Sequence, residues 1–155
     1  MWTVNLEDMT ATQALGRALG LVVSGPTLVS LVGDLGAGKT TFAQGVGTGL
    51  GLSSAVVSPT FILMAEHVDG RHPLLHCDAY RLKPGEAESI GMDETIEAWP
   101  GIVLLEWGDL LPEVFEAPHI RVHLAHTAAG RMASISAMGD CHQVTVDAWR
   151  RGFSA

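Results

Sequence analysis

Eight consecutive residues, Gly33-Asp34-Leu35-Gly36-Ala37-Gly38-Lys39-Thr40, satisfy the pattern G-x-x-x-x-G-K-[ST] at every fixed position. They stand between a β-branched and apolar run, Thr27 to Val32, and a segment of helical pattern, Thr40 to Leu50. The order of strand, glycine loop and helix is what the pattern requires, and few other arrangements restrict a fold so tightly. A run that is apolar on successive residues suits a strand buried on both faces at the centre of a sheet. Glycines at 33, 36 and 38 allow positive φ, so that successive N–H groups can turn toward one anion beside a helix N-terminus.

The loop therefore reads as an anion nest. The backbone of Gly36, Ala37 and Gly38 would cradle phosphate, Lys39 would reach the β and γ oxygens of a nucleotide, Thr40 would give its hydroxyl to Mg²⁺, and Thr41 could bond the α-phosphate. ATP and Mg²⁺ are the expected ligands.

The remaining pattern predicts an α/β chain, a single P-loop domain over residues 1–155 with a mixed central sheet, flanking helices and antiparallel hairpins. A short strand, Thr3 to Leu6, precedes an amphipathic helix from Thr10 to Leu21, where Thr10 and Gln13 fit a capping box. The helix after the loop carries Gly45, Gly47 and Gly49, which signal either close packing or mobility. Phe61 to Glu66 and Pro73 to Cys77 flank Asp69-Gly70, a two-residue hairpin signal. A helix is expected from Glu86 to Trp99, bent near Gly91, followed by an apolar strand, Ile102 to Glu106. His119 to Ala125 and Met132 to Met138 suggest a terminal hairpin, with a short helix after Asp140.

Composition excludes several functions. Net charge is −8 with only nine Lys and Arg, the opposite of a surface built to hold a phosphate backbone, so strong direct nucleic-acid binding is not expected. The longest apolar stretch is broken at Ser24-Gly25-Pro26, too short for a membrane span, and the N-terminus has no secretion signal, which predicts a cytoplasmic protein. Cys77 and Cys141 are expected as free thiols.

A phosphate loop needs a carboxylate for its metal and an acceptor to orient the attacking water or hydroxyl. Asp78 ends the run Leu74 to Cys77 and Glu106 ends Ile102 to Leu105, so both terminate apolar strands where an unpaired charge is costly. Either suits the metal. Thr60, in Ser58-Pro59-Thr60-Phe61, lies in a loop that could close over the γ-phosphate, although a Ser-Pro turn explains the same residues. Trp107 is either a core aromatic or a lid over the nucleotide. His119 and His123 share a strand face about 13 Å apart while His126 points away, which rules out one shared metal ion.

With these residues assembled, the chain resembles the bacterial TsaE family, small ATPases of tRNA threonylcarbamoyladenosine modification. The likeness rests on four ordered motifs, GDLGAGKTTF at Gly33 to Phe42, SPTF at Ser58 to Phe61, HCDAYRL at His76 to Leu82 and LEW at Leu105 to Trp107, and it covers nearly the whole length. The resemblance implies Mg-ATP binding, slow hydrolysis alone, and association with two partner proteins, TsaB and TsaD. By position it implies Thr40 and Glu106 as the magnesium site, Asp78 as a second acid and Thr60 as a switch threonine. Asp8 to Thr12 and Gly130-Arg131 would lie toward the adenine end. Glu66-His67 stand where many members carry an aromatic residue, and the glycine-rich helix is a second departure.

Two other classes share the loop. A small-molecule kinase usually carries a mobile arginine-bearing lid, whereas Arg71, Arg81 and Arg121 are scattered. A GTP switch would need a guanine-reading N-K-x-D sequence, and the chain contains none.

Overall fold

Strand β2, Thr27–Val32, is paired in parallel on both sides, with β5 (Ile102–Glu106) and with β6 (His119–Thr127). The structure is a computed structural model that describes residues 1–34, 36–53, 56, 64–78, 91–106 and 117–154. Among these residues the sheet has seven strands in the order β1-β7-β6-β2-β5-β4-β3. The remaining strands are β1 (Trp2–Leu6), β3 (Met64–His67), β4 (Leu74–Asp78) and β7 (Gly130–Met138). Four central strands are parallel, and β1, β7 and β3 pair antiparallel at the margins. This is the expected mixed α/β architecture of a P-loop nucleotide-binding fold.

Helices cover both faces. On one, α1 (Met9–Val22), α2 (Lys39–Leu50) and α4 (Gln143–Ser154) bury Leu15, Leu19, Phe42, Val46 and Trp149 against Val29, Leu31, Leu104 and Val122. On the other, α3 (Met92–Ala98) sets Met92 on Leu75, Cys77, Val103 and Leu105. Trp149 anchors α4. Its indole N–H donates to Leu15 O at 2.9 Å and its ring meets Trp2 edge-on at 5.4 Å. Burial, together with the neighbouring Asp78, pushes the Cys77 thiol up to about 12, so it stays protonated, and both cysteines are free.

Several elements depart from the expected pattern. The cap of α1 is Asp8, not Thr10, because the Asp8 carboxylate accepts from Ala11 N at 2.8 Å. Asp69-Gly70 is not a two-residue turn. The register His67↔Leu74 leaves six residues between β3 and β4, and they dock on helix ends. Arg71 N donates to Leu50 O at 2.7 Å, the Arg71 guanidinium reaches the carbonyls of Gly20 and Val23 that end α1, and Asp69 accepts from Ser53. Helix α3 starts at Met92 behind Gly91, its cap in the left-handed region at φ +74°. Residues 86–90 of that expected helix, and Phe61 to Leu63 of the expected strand before β3, lie outside the described residues. The terminal hairpin forms, and its helix is longer than expected.

The glycines of α2 serve close packing. A Cβ added to Gly45 or Gly49 would lie under 3.0 Å from the backbone of Gln13 or Arg17, and one added to Gly16 or Gly20 would strike the backbone of Phe42 or Val46. The two helices thus touch backbone to backbone along paired G-x-x-x-G stripes. Gly45→Ala should therefore destabilise the protein by roughly 1–3 kcal/mol, although alanine gains about 1 kcal/mol of propensity in an uncrowded helix. Thermal melting should show a fall of roughly 3–10 °C, and a rise would refute the packing argument.

Candidate functional site

The turn after β2 has the backbone its glycines allow. Gly33, Gly36 and Gly38 all adopt positive φ, at 153°, 78° and 104°. At Gly33 a side chain is also excluded by Leu124 O of the neighbouring strand. Gly38 caps α2 in the left-handed region and Phe42 N donates to its carbonyl at 2.9 Å, so the chain passes directly from the turn into the helix. Lys39 is only 5% exposed, and its ammonium donates to Gly33 O at 2.7 Å and to Asp34 O at 2.9 Å. A buried cation is thereby held in the ring of the loop itself. Thr40 and Thr41 follow in the first turn of α2, both partly exposed.

Arg131, on β7, reaches across this turn. Its guanidinium donates to Gly36 O at 3.1 Å, and its chain lies against Gly38 together with the methyl of Thr12. Thr12 hydrogen-bonds the Asp8 carbonyl, so the start of α1, Arg131 and the glycine turn form one cluster. The Arg131 Nε is buried without a partner among the described residues. The family resemblance groups Asp8 to Thr12 with Gly130-Arg131, and the structure brings Thr12 and Arg131 together against the glycine turn.

The strand-end carboxylates lie on the two strands that follow the loop strand in the sheet, Glu106 on β5 and Asp78 on β4. Leu31 of β2 is in register with Glu106, and Glu106 with Asp78, which places the two acids opposite each other on adjacent parallel strands. They are 3% and 5% exposed. Like charges directly opposed and buried repel, so this arrangement suits a cation or strong donors close by. His76, on the same face, brings Nε2 to 2.5 Å from Glu106 Oε2. In the sequence it stands two residues before Asp78 as the first residue of the HCDAYRL motif. On the same face of β3, His67 has its pKa lowered by burial and then by the nearness of His76.

No three His, Cys, Asp or Glu side chains among the described residues are grouped to chelate a metal on their own. A magnesium ion bound with nucleotide is commonly held by a hydroxyl and one or two carboxylates together with substrate phosphates. Thr40, Glu106 and Asp78 are of the right chemistry for it. Thr60 and Trp107 lie outside the described residues. A cavity of about 450 Å³ opens at the opposite end of β2, lined by Thr27, Leu28, Trp99, Val103 and His142 among others, and it is a strand's length from this chemistry.

Among the described residues no helix is long and apolar enough to cross a membrane. Residues 6–133 match the family described as threonylcarbamoyl adenosine biosynthesis protein TsaE. A protein named tRNA threonylcarbamoyladenosine biosynthesis protein TsaE from Nostoc sp. is 45% identical over 115 residues, 72% of this chain and 71% of that protein. The protein of the same name from Bacillus subtilis is 37% identical over 145 residues, 92% of this chain and 87% of the relative. In three dimensions the chain is similar to the crystal structure of Bacillus subtilis YdiB, with a TM-score of 0.80 at 26% identity, over 97% of this chain and 93% of that one. The chain belongs to the TsaE family of tRNA threonylcarbamoyladenosine biosynthesis.

Proposed function

We propose that this chain binds Mg-ATP at the glycine turn, hydrolyses it slowly by itself, and acts on a complex of TsaB and TsaD that transfers a threonylcarbamoyl group to tRNA adenosine. One observation carries the nucleotide reading: a buried lysine ammonium, a glycine turn at a helix start and two buried carboxylates are gathered at the tips of three adjacent strands. Such a combination suits a triphosphate and its counter-ion, and it has no evident use in stabilising the fold.

The roles follow from charge and position. The amides of Gly36, Ala37 and Gly38 face the phosphates, and Lys39 exchanges its two loop carbonyls for phosphate oxygens. Thr41 bonds the α-phosphate, and Arg131 with Thr12 supports the turn from the side on which the nucleoside extends. Thr40 and Glu106 hold Mg²⁺, which offsets the charge that develops on the phosphates during hydrolysis. Asp78 orients water at the same site, and the family resemblance gives Thr60 the role of nucleotide sensor. A net charge of −8 fits a protein whose RNA contacts are made by its partners.

Replacing Lys39 by alanine should weaken ATP binding roughly 30-fold or more in a direct titration, since hydrogen bonds to a charged group contribute about 1.5–3 kcal/mol. Near-normal binding would reject the loop assignment. Glu106→Ala should lower magnesium-dependent turnover about 100-fold while changing nucleotide affinity much less. An unaltered hydrolysis rate would transfer that role to Asp78. Purified TsaB and TsaD should bind the chain in a nucleotide-dependent manner and raise its ATPase rate. Absence of binding with every nucleotide would favour a small-molecule kinase.

A further inference from the structure

His76 is fully buried on β4, between β5 and the marginal strand β3, and none of the roles above uses it. It stands on β4 in register with Leu104, so Glu106 is its diagonal neighbour across β5 on the same face. The two side chains meet through Nε2 and Oε2 at 2.5 Å. The second ring nitrogen, Nδ1, is equally buried and has no hydrogen-bond partner among the described residues. An imidazole placed only to fill the core would leave Nδ1 a needless buried cost, whereas Nε2 gives the buried Glu106 carboxylate a partner that an aliphatic side chain could not.

We infer that His76 is a positioning residue for Glu106, donating from Nε2 to Oε2 and so fixing the rotation of the carboxylate with Oε1 left for the metal shell. The inference rests on the assignment of Glu106 to Mg²⁺. A glutamate has three side-chain torsions, and an unanchored carboxylate must be ordered each time a cation arrives. With Oε2 already bonded to a ring held rigidly in the core, that ordering is complete before binding. A hydrogen-bond partner behind a ligating carboxylate typically changes metal affinity or activity about 10–100-fold. The Nε2–H is the donor because an ionised carboxylate can only accept.

The test separates positioning from packing through the side-chain reach of the replacements. Glutamine places an amide N–H near the position of Nε2, whereas asparagine ends near Nδ1 and alanine has no donor. ATP affinity would be titrated for wild type, His76→Gln, His76→Asn and His76→Ala, with Mg²⁺ and with chelator. Hydrolysis would be followed against Mg²⁺ concentration. Expected are affinities in chelator within about twofold of wild type for all four. The Mg²⁺ concentration for half-maximal binding and turnover should rise about 10–100-fold in H76N and H76A and be largely restored in H76Q. A folded H76N or H76A with wild-type magnesium dependence overturns the inference, as does an H76Q as impaired as H76A. If H76A does not fold, H76N, which keeps a polar side chain in the core, decides. A wild type whose ATP binding ignores Mg²⁺ is a separate failure, that of the metal assignment itself.

Discussion

The parallel pairing of β2 with β5 and β6 is the constraint on which the site depends. A strand flanked on both sides and covered on both faces has little freedom at its tip, so the turn that leaves it starts from a fixed point. The pairing of β2 with β5 sets Glu106 level with Leu31, and the parallel pairing of β4 with β5 sets Asp78 level with Glu106. Three parallel strands ending together thus bring a glycine turn and two acids to one edge of the sheet, the place where open α/β sheets gather their ligands.

That edge carries charges at a depth where charge is costly, and the surrounding structure offsets the cost locally. Lys39 is satisfied by carbonyls of its own turn, and Glu106 by an imidazole from the next strand. Helices α1 and α2 hold the back of the loop in place by backbone contact, which glycines alone permit at that distance. Arg131 and Thr12 close its flank. The loop is therefore braced from behind and along one flank.

Strands β2 and β5 were legible to the residue because a continuous apolar run bounded by turn residues has one economical reading at the centre of a sheet. The strand-end acids were legible for the same reason, since a carboxylate closing such a run must lie at its carboxyl end. Local signals that compete with tertiary contacts were read less well. Asp69-Gly70 has the composition of a tight hairpin, but its backbone is recruited to the carbonyl ends of α1 and α2, so the connection lengthens to six residues. Thr10 has the chemistry of a cap, but Asp8, two residues earlier, reaches Ala11 N first. The meaning of Gly45 and Gly49 stayed open because a glycine on a helix looks the same whether a second helix lies against it or not.

By itself the sequence determined the chemistry of the loop, the placement of acids at strand ends and the family, because each depends on residue types at fixed short spacings. Only the tertiary structure decided what lies beside them: Arg131 and Thr12 on the glycine turn, His76 on Glu106, and α1 against the glycines of α2. The physical reason is that these contacts join residues separated by tens of positions. They are set by strand register and helix approach, and a linear pattern carries neither.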